Sequence, residues 1–131
     1  MTIEQFQTIL PHVLFADTSF DQKGWVASNP YYGHCAVVSL LAIDLFGGDL
    51  YRRSLEGTSF SQLHSHYWNA LFDGSERDFT QQQFGSHKPQ FLVVDIVYKE
   101  ELLRNEHTYA RYLLLKHRFE AYLETHIDLV K

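Results

Sequence analysis

Apolar residues recur at helical spacing at the start of the chain, where Ile3, Phe6, Ile9 and Leu10 alternate with polar neighbours. Thr2 and Gln5 form a capping-box pattern, so the spacing predicts a helix over residues 2–10, ended or kinked by Pro11. The next stretch, ADTSFDQKGWVASNPYYG, scatters Asp, Ser, Asn, Pro and Gly through its length and reads as loop. From Cys35 to Phe46 the chain is apolar on nearly every side. That pattern predicts a buried helix, stopped by Gly47 and Gly48.

Residues 49–55 then read as a strand. LHSHYWNALF and SERDF flank an Asp-Gly pair and read as a hairpin. TQQQFGSHKP is a polar connection with room for one helical turn, and FLVVDIV (residues 91–97) is β-branched enough for a strand. A short helix is expected over residues 99–104 and a longer one over 108–125. The longer one would show a broad apolar face of Tyr109, Tyr112, Leu113, Leu115, Phe119, Tyr122 and Leu123. No internal repeat, low-complexity tract or linker interrupts this order. Helices, then a small antiparallel sheet, then helices make an α+β arrangement in one domain over residues 1–131, with the sheet packed on the helix that starts at the cysteine.

Composition narrows the function classes. The 131 residues suffice for a packed core, and 45% hydrophobic with 15% aromatic residues is far from a disordered composition. Eleven basic against sixteen acidic residues give a net charge of −5 with no basic run, so nucleic acid is not an expected partner. The opening MTIEQFQ lacks the layout of a signal peptide, and no apolar run approaches the roughly 20 residues that span a bilayer. The expectation is a soluble cytoplasmic protein without a membrane partner. Its single cysteine cannot form an internal disulfide.

That cysteine carries the candidate chemistry. Only a thiolate attacks, and the free N–H groups and dipole of a helix N-terminus favour negative charge in the first turn, where Cys35 falls. Gly33 would let the backbone approach a bound carbonyl. The plainer alternative is that Cys35 is a small buried hydrophobe, as free cysteines usually are. A second motif, HYWNALFDGSERDFT, bears on the choice, because a cysteine nucleophile is commonly paired with an imidazole that a carboxylate orients. With a two-residue Asp73-Gly74 loop, Asp78 falls opposite Asn69, on the face away from His66. With a three-residue loop, Phe72 to Gly74, Leu71 pairs with Ser75 and Asp78 falls opposite Trp68. His66, Trp68 and Asp78 then share one face, with Gly74 left-handed in a bulge. Trp68 would shield the His66–Asp78 contact from water. The plainer alternatives are a half-buried strand histidine, a core tryptophan, and an aspartate capping a turn at Phe79.

Two other functions fit the same residues. Cys35, His64 and His66 could supply three zinc ligands of a hydrolase, with the two histidines on one strand face. The remaining histidines, at positions 12, 34, 87, 107, 117 and 126, read as surface residues. Alternatively, the domain is a non-catalytic module that holds a peptide or small ligand in a groove rich in Trp25, Tyr31, Tyr32 and Trp68.

GHC opening an apolar helix, then HYWN, then DGSERDFT resembles the order of nucleophile, base and orienting residue in the transglutaminase-like and papain-like cysteine enzymes. More closely, the stretches ADTSF, NPYYGHCAVV, GGDL, HYWNALFDGSERDFTQQQFG and LLRNEHTYARYLLLKHRF resemble the YunG-type family of small bacterial proteins, over most of the chain. The resemblance implies a papain-like α+β fold with Cys35 as nucleophile, His66 as base and Asp78 as orienting residue, and no required cofactor. It also implies Asn29, six positions before Cys35, as a candidate oxyanion donor beside the Cys35 N–H, although an Asn-Pro turn explains the same residue. The reaction expected is acyl transfer: cleavage or exchange of an amide, isopeptide or thioester bond in a protein, peptide or small molecule.

Overall fold

The computed structural model describes residues 1–89 and 94–126. The first helix, α1 (Ile3–Ile9), starts at the capping box the sequence signalled: Gln5 N donates to Thr2 Oγ1 at 3.1 Å and Thr2 N to Gln5 Oε1 at 2.8 Å. Pro11 converts the chain to a 3₁₀ turn over Leu10–His12 rather than a longer helix. After the loop comes α2 (Cys35–Phe46), buried around most of its circumference. Gly47 ends α2 in a left-handed conformation, its N–H donating to Ile43 O at 2.9 Å.

Among the described residues four antiparallel strands follow: β1 (Asp49–Ser54), β2 (Ser65–Ala70), β3 (Glu76–Arg77) and β4 (Asp95–Val97), in the order β3-β2-β1-β4. The β2–β3 hairpin settles its own register. Asn69 pairs with Arg77 and Ala70 with Glu76, and Leu71 N donates to Ser75 O at 2.8 Å. The loop is therefore the three-residue form, with Gly74 at φ +85°. One further step of this register sets Asp78 against Trp68, with His66 on the same face.

Among the described residues two helices follow the sheet, α3 (Lys99–Leu103) and α4 (Glu106–Thr125). Several expectations need correction. The predicted strand over 91–97 is strand only at Asp95–Val97, and residues 91–93 lie outside the described residues. His64, expected on a strand face, instead sits before β2 at φ +65°. α4 starts at Glu106, two residues early, because the Asn105 side chain caps it by accepting from Thr108 N. Its buried stripe is Thr108, Tyr112, Leu115 and Phe119, and Tyr109 faces outward.

The core forms where α1, α2, the sheet and α4 meet. Phe6 is its hub, edge-on to Phe46 and Phe79 and tilted against Phe119, with centroids 5.0–5.6 Å apart. A smaller cluster of Leu55, Leu63 and Phe84 lies apart from it. Among the described residues no helix is long and apolar enough to cross a membrane.

Gly48 connects α2 to β1 at φ +99°, where a Cβ would stand 2.1 Å from the Ala70 carbonyl oxygen. Gly57 is also left-handed, at φ +83°, but faces open space. Gly48→Ala is expected to lower unfolding free energy in urea by about 3 kcal/mol, and Gly57→Ala by about 1 kcal/mol. Equal losses would show that the close crossing of Gly48 over β2 carries no weight.

Candidate active site

Cys35 is the first residue of α2 and is 6% exposed, its thiol donating to the Ser65 carbonyl oxygen at 3.5 Å. The residue before it does not cap the helix. The His34 ring is fully buried and turned to Thr18, with Nε2 and Oγ1 2.8 Å apart. The first-turn N–H groups of α2 have no intrahelical acceptor, and no side chain of the cap residue takes one of them. Gly33, at φ +75°, is held by Gln83, whose Oε1 accepts from Gly33 N at 3.1 Å while its Nε2 donates to Thr80 Oγ1 at 3.0 Å. The backbone approaching the sulfur is thus fixed from behind.

His66, on β2, meets both partners. Its Nε2 lies 2.6 Å from Asp78 Oδ2, and the Cys35 sulfur is near enough to favour the charged ring. The ring is fully buried, stacked at 19° on Trp68 with centroids 5.6 Å apart, and Phe84 stands edge-on at 4.8 Å. Asp78 Oδ2 also receives Lys88 Nζ at 2.9 Å, and Thr80 N donates to Oδ1 at 3.3 Å. Asp78 therefore both orients the ring and braces the turn that follows it. Phe79, the next residue, is seated against Phe6 in the core, which fixes where the carboxylate can go.

Burial acts alike on the two buried histidines, yet they shift in opposite directions. Burial pushes His34 down to about 4. Burial also favours neutral His66, but the Asp78 carboxylate and the Cys35 sulfur outweigh it and raise the ring to about 9. Burial alone would raise Asp78, and its hydrogen bond and charge pairing with His66, helped by Lys88, bring it below the usual carboxylate value. Both shifts run in the direction that favours a charged ring beside a charged carboxylate.

Beside Cys35 lies a pocket of about 270 Å³. Gly33, Cys35 and Ser65 form one side, and Leu102, Thr108 and Arg111 from α3 and α4 another. The other sequence-predicted residues fall elsewhere. Asn29 Nδ2 donates to the Gln83 carbonyl oxygen at 3.1 Å, and Asn29 does not line the pocket. Trp68 sits beneath His66 and near Glu76, its Nε1 3.3 Å from Glu76 Oε1. Trp25, Tyr31 and Tyr32 do not line the pocket either; its aromatic walls are Phe20 and Tyr67. Of the histidines read as surface residues, His34 is the exception, being buried. Among the described residues no group of three or more His, Cys, Asp and Glu side chains is placed to hold a metal ion, and exposed His64 packs edge-on to Phe20 instead.

Sequence reasoning missed Gln83, Lys88 and Arg111. The first two sit in a polar connection without periodicity. Arg111 had a signal: it is a cation three positions after Thr108, beside the buried stripe of α4.

An α+β chain with a histidine–aspartate pair beside a cysteine that opens a buried helix is the class defined by fold and site. The chain belongs to the YunG family: the family model described as YunG protein matches residues 2–124. No match was found among curated proteins or among solved structures.

The two histidines predict a stability maximum near their common unfolded value of 6.5. His66, raised, contributes stability that is complete below 6.5 and lost as pH rises through about 9. His34, depressed, resists protonation, so stability falls as pH drops from 6.5 toward about 4. The Asp78 contribution is lost only further down, below the ordinary 3.8. Urea unfolding across pH should show limbs on the order of 2 kcal/mol each. His66→Gln is expected to flatten the alkaline limb alone and His34→Gln the limb between 6.5 and 4. Limbs unmoved by these substitutions would show that other groups set the profile.

Proposed function

We propose that the protein is a cysteine-dependent acyl-transfer enzyme of papain-like or transglutaminase-like fold, using Cys35, His66 and Asp78. The observation that carries this reading is the 2.6 Å contact of Asp78 with His66 on β2, with the Cys35 sulfur at the start of α2 hydrogen-bonded to the carbonyl of the neighbouring Ser65. The Cys35 thiol gives its proton to the His66 ring, Sγ attacks the substrate carbonyl carbon as the thiolate, and the carbonyl π electrons move to oxygen. First-turn N–H groups of α2, left uncapped by His34, receive that oxyanion. Collapse breaks the bond to the leaving amine, alcohol or thiol, which takes the proton from the His66 ring. Water or an acceptor amine, its proton drawn to the same ring, then attacks the thioester and frees Cys35. Asp78 fixes the ring's orientation throughout, and Lys88 holds Asp78. The substrate is a peptide or small molecule with an amide, ester or thioester bond. A reducing compartment such as the cytoplasm suits a lone, usable thiol.

Iodoacetamide labelling followed by intact mass tests the pair. At pH near 6.5, the rate at Cys35 is expected to fall roughly tenfold or more in His66→Ala, and by a smaller factor in Asp78→Asn. Labelling that is indifferent to His66 would remove the enzymatic reading. Cys35→Ala should abolish any acyl adduct formed from a thioester donor, and a persisting adduct would point to another nucleophile.

A further inference from the structure

The pocket beside Cys35 contains a cation that the proposed chemistry does not use. Arg111 is half-buried in its wall, in the same pocket as Cys35. Its Nη1 donates to the Thr18 carbonyl oxygen at 3.2 Å and its Nη2 to Thr108 Oγ1 at 3.4 Å. The guanidinium also lies over the Phe20 ring, 5.6 Å from the centroid. These contacts hold the group in place and use two of its five N–H donors. Among the described residues no carboxylate lies within ion-pair distance of it.

Half-buried guanidinium groups usually have a carboxylate partner, because desolvating the charge is costly. Here the nearby acids do not serve. Asp17, in the adjoining depression, is taken by Arg118, with both oxygens bonded at 3.0 and 2.7 Å. Glu101 lines the same pocket, but is exposed and unpaired with Arg111. We infer that this pocket selects a substrate with a carboxylate close to the carbonyl that Cys35 attacks, and that Arg111 anchors that carboxylate. The inference rests on the acyl-transfer reading above and specifies its substrate class. A monoanion fits better than a phosphate dianion, because one guanidinium stands there with Glu101 on the same wall. The planar fork of Arg111 suits a carboxylate, and Phe20, Leu102 and Tyr67 would cover the carbon atoms between that carboxylate and the scissile carbonyl.

Two alkylating probes of nearly equal size separate the effects: iodoacetate, which carries a carboxylate, and iodoacetamide, which does not. The readout is the ratio of their rates at Cys35, at constant ionic strength. That ratio is expected to fall about tenfold in Arg111→Gln, with partial recovery in Arg111→Lys, which keeps the charge without the fork. An unchanged ratio overturns the inference. Should Arg111→Gln not fold, the wild-type protein decides the matter: acetate must slow iodoacetamide labelling where equal acetamide or chloride does not, and equal protection by all three overturns it. Labelling that is indifferent to His66 while iodoacetate is still favoured removes the acyl-transfer reading and keeps the anion site. Dependence on His66 without any preference for iodoacetate does the reverse.

Discussion

A buried imidazole next to a buried carboxylate constrains the arrangement of much of this chain. Each group alone would be costly to remove from water. Their 2.6 Å contact offsets that cost only if both are held in place, and the structure holds them from several sides. The left-handed Gly74 sets the hairpin register that brings Asp78 to the His66 face. Phe79 locks the backbone beside the carboxylate into the Phe6 cluster. Trp68 stacks on the ring and Phe84 packs edge-on to it, and the ring is fully buried. Lys88 supplies a second cation, so the carboxylate is not neutralised by the histidine alone.

The two histidines near Cys35 show how much the partner matters. His34 precedes the cysteine in sequence and His66 reaches it in space. Both are fully buried, yet one is driven toward about 4 and the other toward about 9. The difference is the carboxylate. His34 has a neutral hydroxyl, Thr18, and therefore stays uncharged. That arrangement has a consequence for the helix it precedes. A serine or aspartate at the cap would occupy a first-turn N–H, whereas a histidine committed to Thr18 leaves those donors beside the sulfur.

Much of the fold was legible because it is encoded locally. The capping box at Thr2, the apolar run from Cys35 to Phe46 and its Gly47 stop are statements about neighbours in sequence. The hairpin was legible for the same reason, but Asp73-Gly74 suits either of two loop lengths; the structure adopts the one that juxtaposes His66 and Asp78. Burial set by folded-back loops was not legible. His34 read as a surface residue, and it is buried because the preceding loop folds over it through Thr18 and through Phe20 N, which donates to Gly33 O at 2.8 Å. Gln83 and Lys88 failed for a related reason. Each acts on a segment that no periodicity connects to it, Gln83 on Gly33 and Lys88 on the hairpin carboxylate.

The site divides its tasks between the two halves of the chain. Cys35, His66 and Asp78 come from α2 and the hairpin, where rigid packing fixes distances. The opposite wall of the pocket comes from α3 and α4, held across the site by Arg118 on Asp17 and the Val13 carbonyl and by Arg111 on the Thr18 carbonyl. Arg111 thus does two things with one guanidinium: it ties α4 to the loop that covers His34, and it lines the pocket beside the sulfur. Loss of the tie would loosen the wall, and loss of the charge would remove the only unpaired cation near the sulfur among the described residues. On the proposed reading, reactivity is built into the sheet and α2, while selectivity resides on a helix that can vary in sequence without disturbing the His66–Asp78 contact.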